Sequence, residues 1–275
     1  MGNTAKITVD FNQAGAKIKP MHGIGQPPLT GLSNSLFHYL SRAGMPYSRL
    51  HDVGGWMGHG LYVDIPNLFR DFDADENDPA SYDFAFTDRI ITGLIEAGCE
   101  PYFRLGVTIE NAHLVKAYRI YPPKDFKKWA IICEHIISHY NEGWADGYRF
   151  NIQYWEIWGE PDLDPDDSPN KRMWGGTTAQ FYDLFEVTAK HIKDCFPNIK
   201  IGGPGFAHRM EWADKFLGEM SKRKVPMDFC SWHQYAIEPC QIVRRAETVR
   251  ALLDKHGYKD TESILDEWNY VADWK

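Results

Sequence analysis

Short apolar runs alternate along this chain with longer stretches whose apolar positions recur every three or four residues. That rhythm predicts βα units around a parallel sheet. Candidate strands fall at 22–26, 47–53, 101–107, 153–159, 199–204, 228–235 and 262–268. Helices fit between them at 31–43, 84–98, 124–141, 177–195, 209–223 and 240–256. The helix at 177–195 opens at Thr177-Thr178, keeps its core face at 181, 184, 185, 188 and 192, and stops before Pro197. Seven strands of this kind imply an α/β fold, a (β/α)8 TIM barrel that is incomplete at its C-terminus. Residues 1–275 are read as one barrel domain, with residues 1–20 an N-terminal strand (Lys6 to Asp10) and lead-in.

An open parallel edge leaves backbone and core exposed, so the missing eighth strand must be accounted for. The strand at 6–10 could substitute at the seam, a homo-oligomer or partner chain could complete the barrel, or the chain could be a C-terminal truncation. Truncation is the favoured expectation. Two long connections stand out. The first, 54–82, carries Trp56, Tyr62 and the acidic run Asp71 to Glu76, which is read mainly as a solvated face; the second, 162–175, is rich in Asp and Pro. Loops after barrel strands surround the reactive face, so Trp56 and Tyr62 are also candidate subsite walls.

Composition narrows the function. The chain has 275 residues, 43% hydrophobic and 25% charged, ordinary values for a soluble globular protein that needs no staples. A net charge of −8 argues against nucleic acid as a partner. No run approaches transmembrane length, so no membrane is expected, and the N-terminus has no apolar leader, so the location anticipated is cytoplasmic, or secreted if a signal peptide has been removed. Five cysteines, an odd number without CxxC or Cys/His ligand spacing, point to a reducing compartment and to no zinc site. Aromatic residues make up 14%, including ten Trp and fourteen Tyr, and flat rings suit the C–H faces of sugars.

The candidate chemistry lies at strand ends, because a barrel of this kind places its reactive face there. Arg49, His51 and Asp52 close the second candidate strand, Glu160 the fourth, His233 and Tyr235 the sixth, and Glu267 the seventh. Glu160 ends the run Tyr154-Trp155-Glu156-Ile157-Trp158-Gly159-Glu160, and Glu267 ends Ser263-Ile264-Leu265-Asp266-Glu267. Two carboxylates facing each other against aromatic walls suit glycosidic bond cleavage, with one protonated acid and one ionised nucleophile. Arg49 is the cation expected to hold Glu267 ionised, which leaves Glu160, less well compensated, as the acid. Glu156 is read as a structural ion-pair partner. His51 and His233 are as readily core histidines as site residues, Trp268 is the favoured sugar platform, and Tyr102, Arg104 and His113 are not selected. A Ser-based triad has no support, since no Gly-x-Ser-x-Gly elbow is present. Gly202-Gly203-Pro204-Gly205 lacks phosphate-loop or dinucleotide spacing and reads as a tight turn that leaves room beside a ligand.

These residues resemble glycoside hydrolase family 39, the β-xylosidase and α-L-iduronidase family of retaining (β/α)8 enzymes. Trp155-Glu156-Ile157-Trp158-x-Glu160-Pro161-Asp162 resembles its acid/base segment and Ile264-Leu265-Asp266-Glu267-Trp268-Asn269 its nucleophile segment. Arg49-Leu50-His51 and Asp228-Phe229-Cys230-Ser231-Trp232-His233-Gln234-Tyr235 are similar to its second- and sixth-strand motifs, and the likeness runs from about residue 20 to the last residues. The resemblance implies Glu160 as acid/base and Glu267 as nucleophile, with His51, His233 and Tyr235 lining the −1 subsite and no metal or organic cofactor. Two departures accompany it. Gly159 stands where the family pattern has an Asn expected to hydrogen-bond the sugar 2-hydroxyl, and the family's eighth strand and β-sandwich are missing. The function expected is a retaining glycoside hydrolase acting on a β-linked plant oligosaccharide such as a xylo-oligosaccharide. The alternative is a carbohydrate-binding pseudoenzyme or an inactive truncated barrel.

Overall fold

The computed structural model describes residues 6–15, 22–28, 36–51, 63–108 and 120–272. In chain order, α1 (Phe37–Ala43) leads into β1 (Tyr47–Arg49), and α2 (Ile65–Leu68) and α3 (Ala85–Glu96) precede β2 (Glu100–Leu105). Then come α4 (Phe126–Asn141), β3 (Tyr154–Ile157), α5 (Thr178–Cys195), β4 (Lys200–Phe206), α6 (Met210–Lys222), β5 (Phe229–Ala236), α7 (Pro239–Lys255) and β6 (Glu262–Tyr270). The six strands form one sheet in sequential order, and every neighbouring pair is parallel. This is the βα arrangement expected from the sequence. Among the described residues no helix is long and apolar enough to cross a membrane.

The sheet is rolled into an incomplete barrel. Laid flat, six strands would separate β1 from β6 by roughly 24 Å, at about 4.8 Å per neighbour. Instead Arg49 Nη1, on β1, lies 3.0 Å from Glu267 Oε2, on β6. Inward-pointing side chains from alternate positions fill the interior in layers, as in other parallel barrels. The floor is aromatic: Tyr154 packs edge-on to Tyr47 and stacks with Tyr102, and Phe229 tilts against both Tyr102 and Tyr154. Above it lie Arg49, Glu156 and Ser231, and above those the groups at the mouth.

Helix ends follow local chemistry. At α5, Thr177 Oγ1 accepts from the Gln180 N–H at 3.2 Å and Gln180 Oε1 accepts from the Thr177 N–H at 2.9 Å, a reciprocal capping box. Phe181, Leu184, Phe185, Thr188 and Ile192 are all buried, so the helical face read from the sequence is the one that packs inward. Asp125 caps α4 through the Lys127 and Lys128 N–H groups.

Two expectations need correction. The candidate strand at 22–26 is reduced to a single parallel bridge, Ile24 to Ser48. Gly23 and Gly25 flank that residue and weaken extended structure, and no described strand lies on its other side. Residues 6–10 form no strand, and Ile7 and Val9 are 84% and 64% exposed, because nothing in the described residues pairs with them. The connection at 54–82 is less irregular than expected, since it contains α2 and a short 3-10 turn at Pro79–Ser81. Its acidic run behaves as a solvated face, with Asp73 exposed and paired with Lys124. Asp52, Trp56, Tyr62 and His113 lie outside the described residues.

Candidate active site

Glu160 does not sit on a strand. β3 stops at Ile157, and the chain turns through left-handed backbone at Trp158 (φ 70°) and Glu160 (φ 49°). Such conformations at non-glycine residues cost of order 1–3 kcal/mol each and persist only where the surroundings enforce them. Here the Trp158 N–H donates to the Leu105 carbonyl and its indole N–H to the Met173 carbonyl, while the Glu160 N–H is shared by the carbonyls of Pro204 and Gly205. The Asp-rich loop after Glu160 is also tied down. Asp162 is fully buried and accepts from the N–H groups of Ala207, His208 and Arg209 at 2.8, 3.2 and 2.9 Å, just ahead of α6.

β5 contributes from one face. Phe229, Ser231, His233 and Tyr235 alternate inward, and the last two reach the mouth. His233 Nδ1 is 2.8 Å from Glu160 Oε1 and 3.6 Å from Glu267 Oε2. The Tyr235 hydroxyl donates to Glu267 Oε1. Gly205 makes this packing possible: its φ is +65°, and a Cβ there would sit 3.0 Å from His233 Nε2.

β6 contributes two consecutive acids, which a regular strand would send to opposite faces. A register shift resolves this. Trp232 pairs with Leu265 but His233 pairs with Glu267, so Asp266 is the extra residue of a β-bulge. Both side chains therefore turn inward: Asp266 Oδ2 and Glu267 Oε2 lie 2.9 and 3.0 Å from the Arg49 guanidinium. Alternation resumes beyond the bulge, and Trp268 is turned to the other face, 62% exposed. The structure does not bring it to the carboxylates.

Arg49 joins the layers. Its Nε is 2.9 Å from Glu156 Oε2, and Ser231 donates to Glu156 Oε1 at 2.6 Å. Glu156 is thus a buried ion-pair partner, as the sequence suggested. Arg49 Nη2 has no hydrogen-bond acceptor among the described residues, and it lies 3.5 Å from where a Cβ on Gly159 would be. Arg104, not selected from sequence, is also fully buried and pairs with Asp64, while Thr108 donates to the same carboxylate at 2.8 Å.

The electrostatics separate the acids. Burial pushes the Glu267 carboxyl up, but His233, His51, Arg49 and the Tyr235 hydroxyl outweigh it and bring it to about 2. Burial, then Arg49, drives His51 well below its ordinary value. His51 is therefore neutral at pH 7 and lies with Nε2 3.2 Å from Glu267 Oε2, a hydrogen-bonding distance. Burial also opposes the His233 imidazolium, yet Glu160, Asp266 and Glu267 raise it to about 9. Asp266 moves well above the carboxylate range, first through burial, and neither of its oxygens receives an aligned hydrogen bond. The neighbouring Glu156 carboxylate adds to that rise, whereas Arg49 lowers Glu156 against its own burial.

One oxygen of Glu160, one of Glu267 and a ring nitrogen of His233 all lie within 4.8 Å of one another. A cation of suitable size would fit that space, but a protonated His233 has no lone pair to offer and repels it. The arrangement is better suited to moving protons and attacking a carbon than to holding a metal. The site residues read from the sequence fall out as follows. Arg49, His51, Glu160, His233, Tyr235 and Glu267 are brought together, and Gly159 lines the same place. Asp52 lies outside the described residues, and Trp268 faces away. Ser231 and Asp266 were missed. The adjacent Asp-Glu pair was the signal for Asp266, and the bulge that uses it is not visible in the alternation.

A rolled parallel barrel with a glutamate beyond β3, another on β6 and an arginine beneath them defines the class of (β/α)-barrel glycosidase-like proteins. The profile described as Glycosyl hydrolases family 39 matches residues 5–261, and the chain belongs to that family. A β-xylosidase from Geobacillus stearothermophilus is 26% identical over 243 residues, covering 77% of this chain and 46% of that protein. A β-xylosidase from Caldicellulosiruptor saccharolyticus is 30% identical over 202 residues, covering 70% and 37%. The crystal structure of a glucosidase from Croceicoccus marinus superposes with a TM-score of 0.75 at 27% identity, over 93% of this chain and 52% of that one. A monomeric β-xylosidase from Caulobacter crescentus shares the fold at a TM-score of 0.69 and 18% identity, over 96% and 55%. The chain spans less than half the length of the curated relatives it matches.

Proposed function

We propose that this chain forms the catalytic barrel of a retaining glycoside hydrolase that acts on β-linked xylo-oligosaccharides, with Glu267 as nucleophile and Glu160 as acid/base. The observation that carries the reading is the approach of Glu160 and Glu267 to within 4.8 Å, oxygen to oxygen. Retaining enzymes hold their carboxyl groups about 5–5.5 Å apart, whereas inverting ones leave roughly 6.5–9.5 Å for a water. Glu267, with a pKa of about 2, is ionised over the working pH range and can attack the anomeric carbon. As that bond forms, Glu160 gives its proton to the departing oxygen. Water then cleaves the glycosyl ester on Glu267 and returns a proton to Glu160. The xylose reading rests on the names of the two relatives at 26% and 30% identity. One apolar core, running from Phe37 to Leu253, supports treating the chain as a single barrel domain.

Glu267→Gln and Glu160→Gln test the roles. The first should abolish turnover. The second should stop natural oligosaccharides while leaving aryl glycosides with good leaving groups cleavable. Equal, mild losses from both would sink the assignment. Gly159 favours a second reading, a carbohydrate-binding protein without turnover, because glycine cannot supply the amide expected beside the 2-hydroxyl. Titrating xylo-oligosaccharides while following binding and reducing-end release separates the two: saturable binding with no release selects the second.

A further inference from the structure

On the outer face of the barrel, away from the carboxylates, α4 and α5 pack side by side. Glu134 on α4 and His191 and Cys195 on α5 bring one donor atom each to within 4.8 Å of one another. His191 Nε2 is 2.6 Å from Glu134 Oε2 and 3.9 Å from Cys195 Sγ. His191 and Cys195 are spaced i, i+4, so they share one helical face one turn apart. No zinc site is expected from the sequence, because His191 and Cys195 alone are two donors and fall short of a ligand set. Here the third donor comes from another helix.

Two ordinary explanations account for less of this geometry. A surface Glu–His ion pair explains the 2.6 Å contact but not the thiol. A Cys–His–Glu nucleophilic triad needs the carboxylate on one ring nitrogen and the sulfur on the other. Here Glu134 and Cys195 both address Nε2, so the three donors surround a common point rather than forming a relay. Convergence of sulfur, imidazole nitrogen and carboxylate oxygen is the donor set of a borderline-soft divalent ion. Around tetrahedral zinc such donors sit roughly 3.3–3.8 Å apart. The thiol is already near that spacing, and the Glu134–His191 contact has to open by under about 1 Å, within reach of side-chain rotation. The carboxylates of Asp194 and Glu142 add negative potential around the sulfur.

We propose that Glu134, His191 and Cys195 form a three-ligand site for Zn²⁺ that clamps α4 to α5, with water at the fourth position. On binding, the Cys195 S–H bond breaks and its proton passes to solvent as the S–Zn bond forms. The Nε2 proton that His191 donates to Glu134 moves to Nδ1 or, from the imidazolium, passes to solvent, which frees the Nε2 lone pair for the metal, and the Glu134 carboxylate exchanges that hydrogen bond for a bond to zinc. The site is separate from the proposed glycosidase chemistry, so loading it should leave turnover unchanged while raising the unfolding temperature.

Co²⁺ titrated into the chelator-treated chain is the direct test. We expect one equivalent to bind, with a thiolate-to-cobalt charge-transfer band and tetrahedral visible bands that one equivalent of Zn²⁺ abolishes. Cys195→Ser should remove the charge-transfer band, and His191→Ala and Glu134→Gln should weaken binding at least tenfold. Cys240→Ser, which removes the other exposed cysteine, should change nothing. If a variant does not fold, protection of Cys195 from alkylation by Zn²⁺ in the unmodified chain, read by peptide mass, gives the same answer. Absence of a saturable cobalt signal, a band that survives Cys195→Ser, or alkylation unaffected by Zn²⁺ overturns the proposal.

Discussion

Replacing His233 with asparagine probes the electrostatic centre of the candidate site. The imidazolium is buried, which opposes its charge, yet Glu160, Asp266 and Glu267 raise it from 6.5 to about 9. A group whose folded value lies above its unfolded one stabilises the fold fully below the unfolded value. That contribution is lost as the pH rises through the folded value. The window is therefore pH 6.5 to about 9. At about 1.36 kcal/mol per pH unit, it corresponds to about 3 kcal/mol. His233→Asn keeps an N–H directed at Glu160 but has no charge to lose. Denaturant unfolding at about pH 6 and about pH 9.5 measures the difference. The wild-type chain should lose about 3 kcal/mol more than the variant between the two conditions. A parallel loss in both proteins, or a wild-type stability that is flat across the window, would refute the cationic assignment of His233.

Other substitutions report on neighbouring parts of the same structure. Arg49→Met should destabilise the chain by about 3–5 kcal/mol in chemical denaturation, because it strands buried carboxylates that now share one guanidinium. Tyr235→Phe removes a donor from Glu267, whose value of about 2 is depressed. The acid limb of kcat/KM should then move up by about one pH unit, and an unmoved limb would argue that Glu267 does not set it. Gly159→Asn fits sterically, since a Cβ there meets Arg49 Nη2 at 3.5 Å, Arg104 Cδ at 3.6 Å and Met173 Cε at 3.8 Å. It should raise kcat/KM on β-xylosides by about tenfold if the missing amide limits the site, and a decrease would discard that account. Asp162→Ala uncaps three backbone N–H groups ahead of α6 and should cost about 2 kcal/mol in thermal or denaturant unfolding.

Periodicity was enough to find most of the barrel. Buried parallel strands are nearly continuous apolar runs, and α5 announces itself through Thr177, its apolar face and Pro197, so both kinds of element are local signals. The exceptions are places where non-local partners decide. Ile24 has an apolar neighbourhood but a neighbour strand on one side only, and it keeps one bridge. Six of the nine candidate site residues, namely Arg49, His51, Glu160, His233, Tyr235 and Glu267, form a single network because strand ends converge in any rolled parallel sheet. Asp266 escaped because alternation predicts the opposite face, and only the pairing register with β5 reveals the bulge. Trp268 was misjudged for the same reason: one residue past the bulge, it points away. Glu160 was placed on a strand although it sits in left-handed backbone, a conformation fixed by carbonyls of Pro204 and Gly205 that lie more than forty residues further along the chain.

The charges in the site make sense as a balance kept through the proposed reaction. Burial shifts both Asp266 and His51 toward their neutral forms. Arg49 and His233 are the cations, and Glu156 and Glu267 are anions that face them. With the leaving-group proton on Glu160, two positive charges meet two negative ones. When Glu267 bonds to the sugar its charge disappears into an ester, and in the same step Glu160 becomes a carboxylate next to His233 Nδ1. The total is unchanged, and the new anion appears at a position already supplied with a cation 2.8 Å away. Hydrolysis of the ester reverses both changes. A buried site that stays neutral avoids the desolvation penalty of creating an uncompensated charge, and fixed partners need no reorganisation as the charge moves. On this reasoning His233 serves both half-reactions by offering one fixed positive charge between two carboxylates, one of which is negative at every stage.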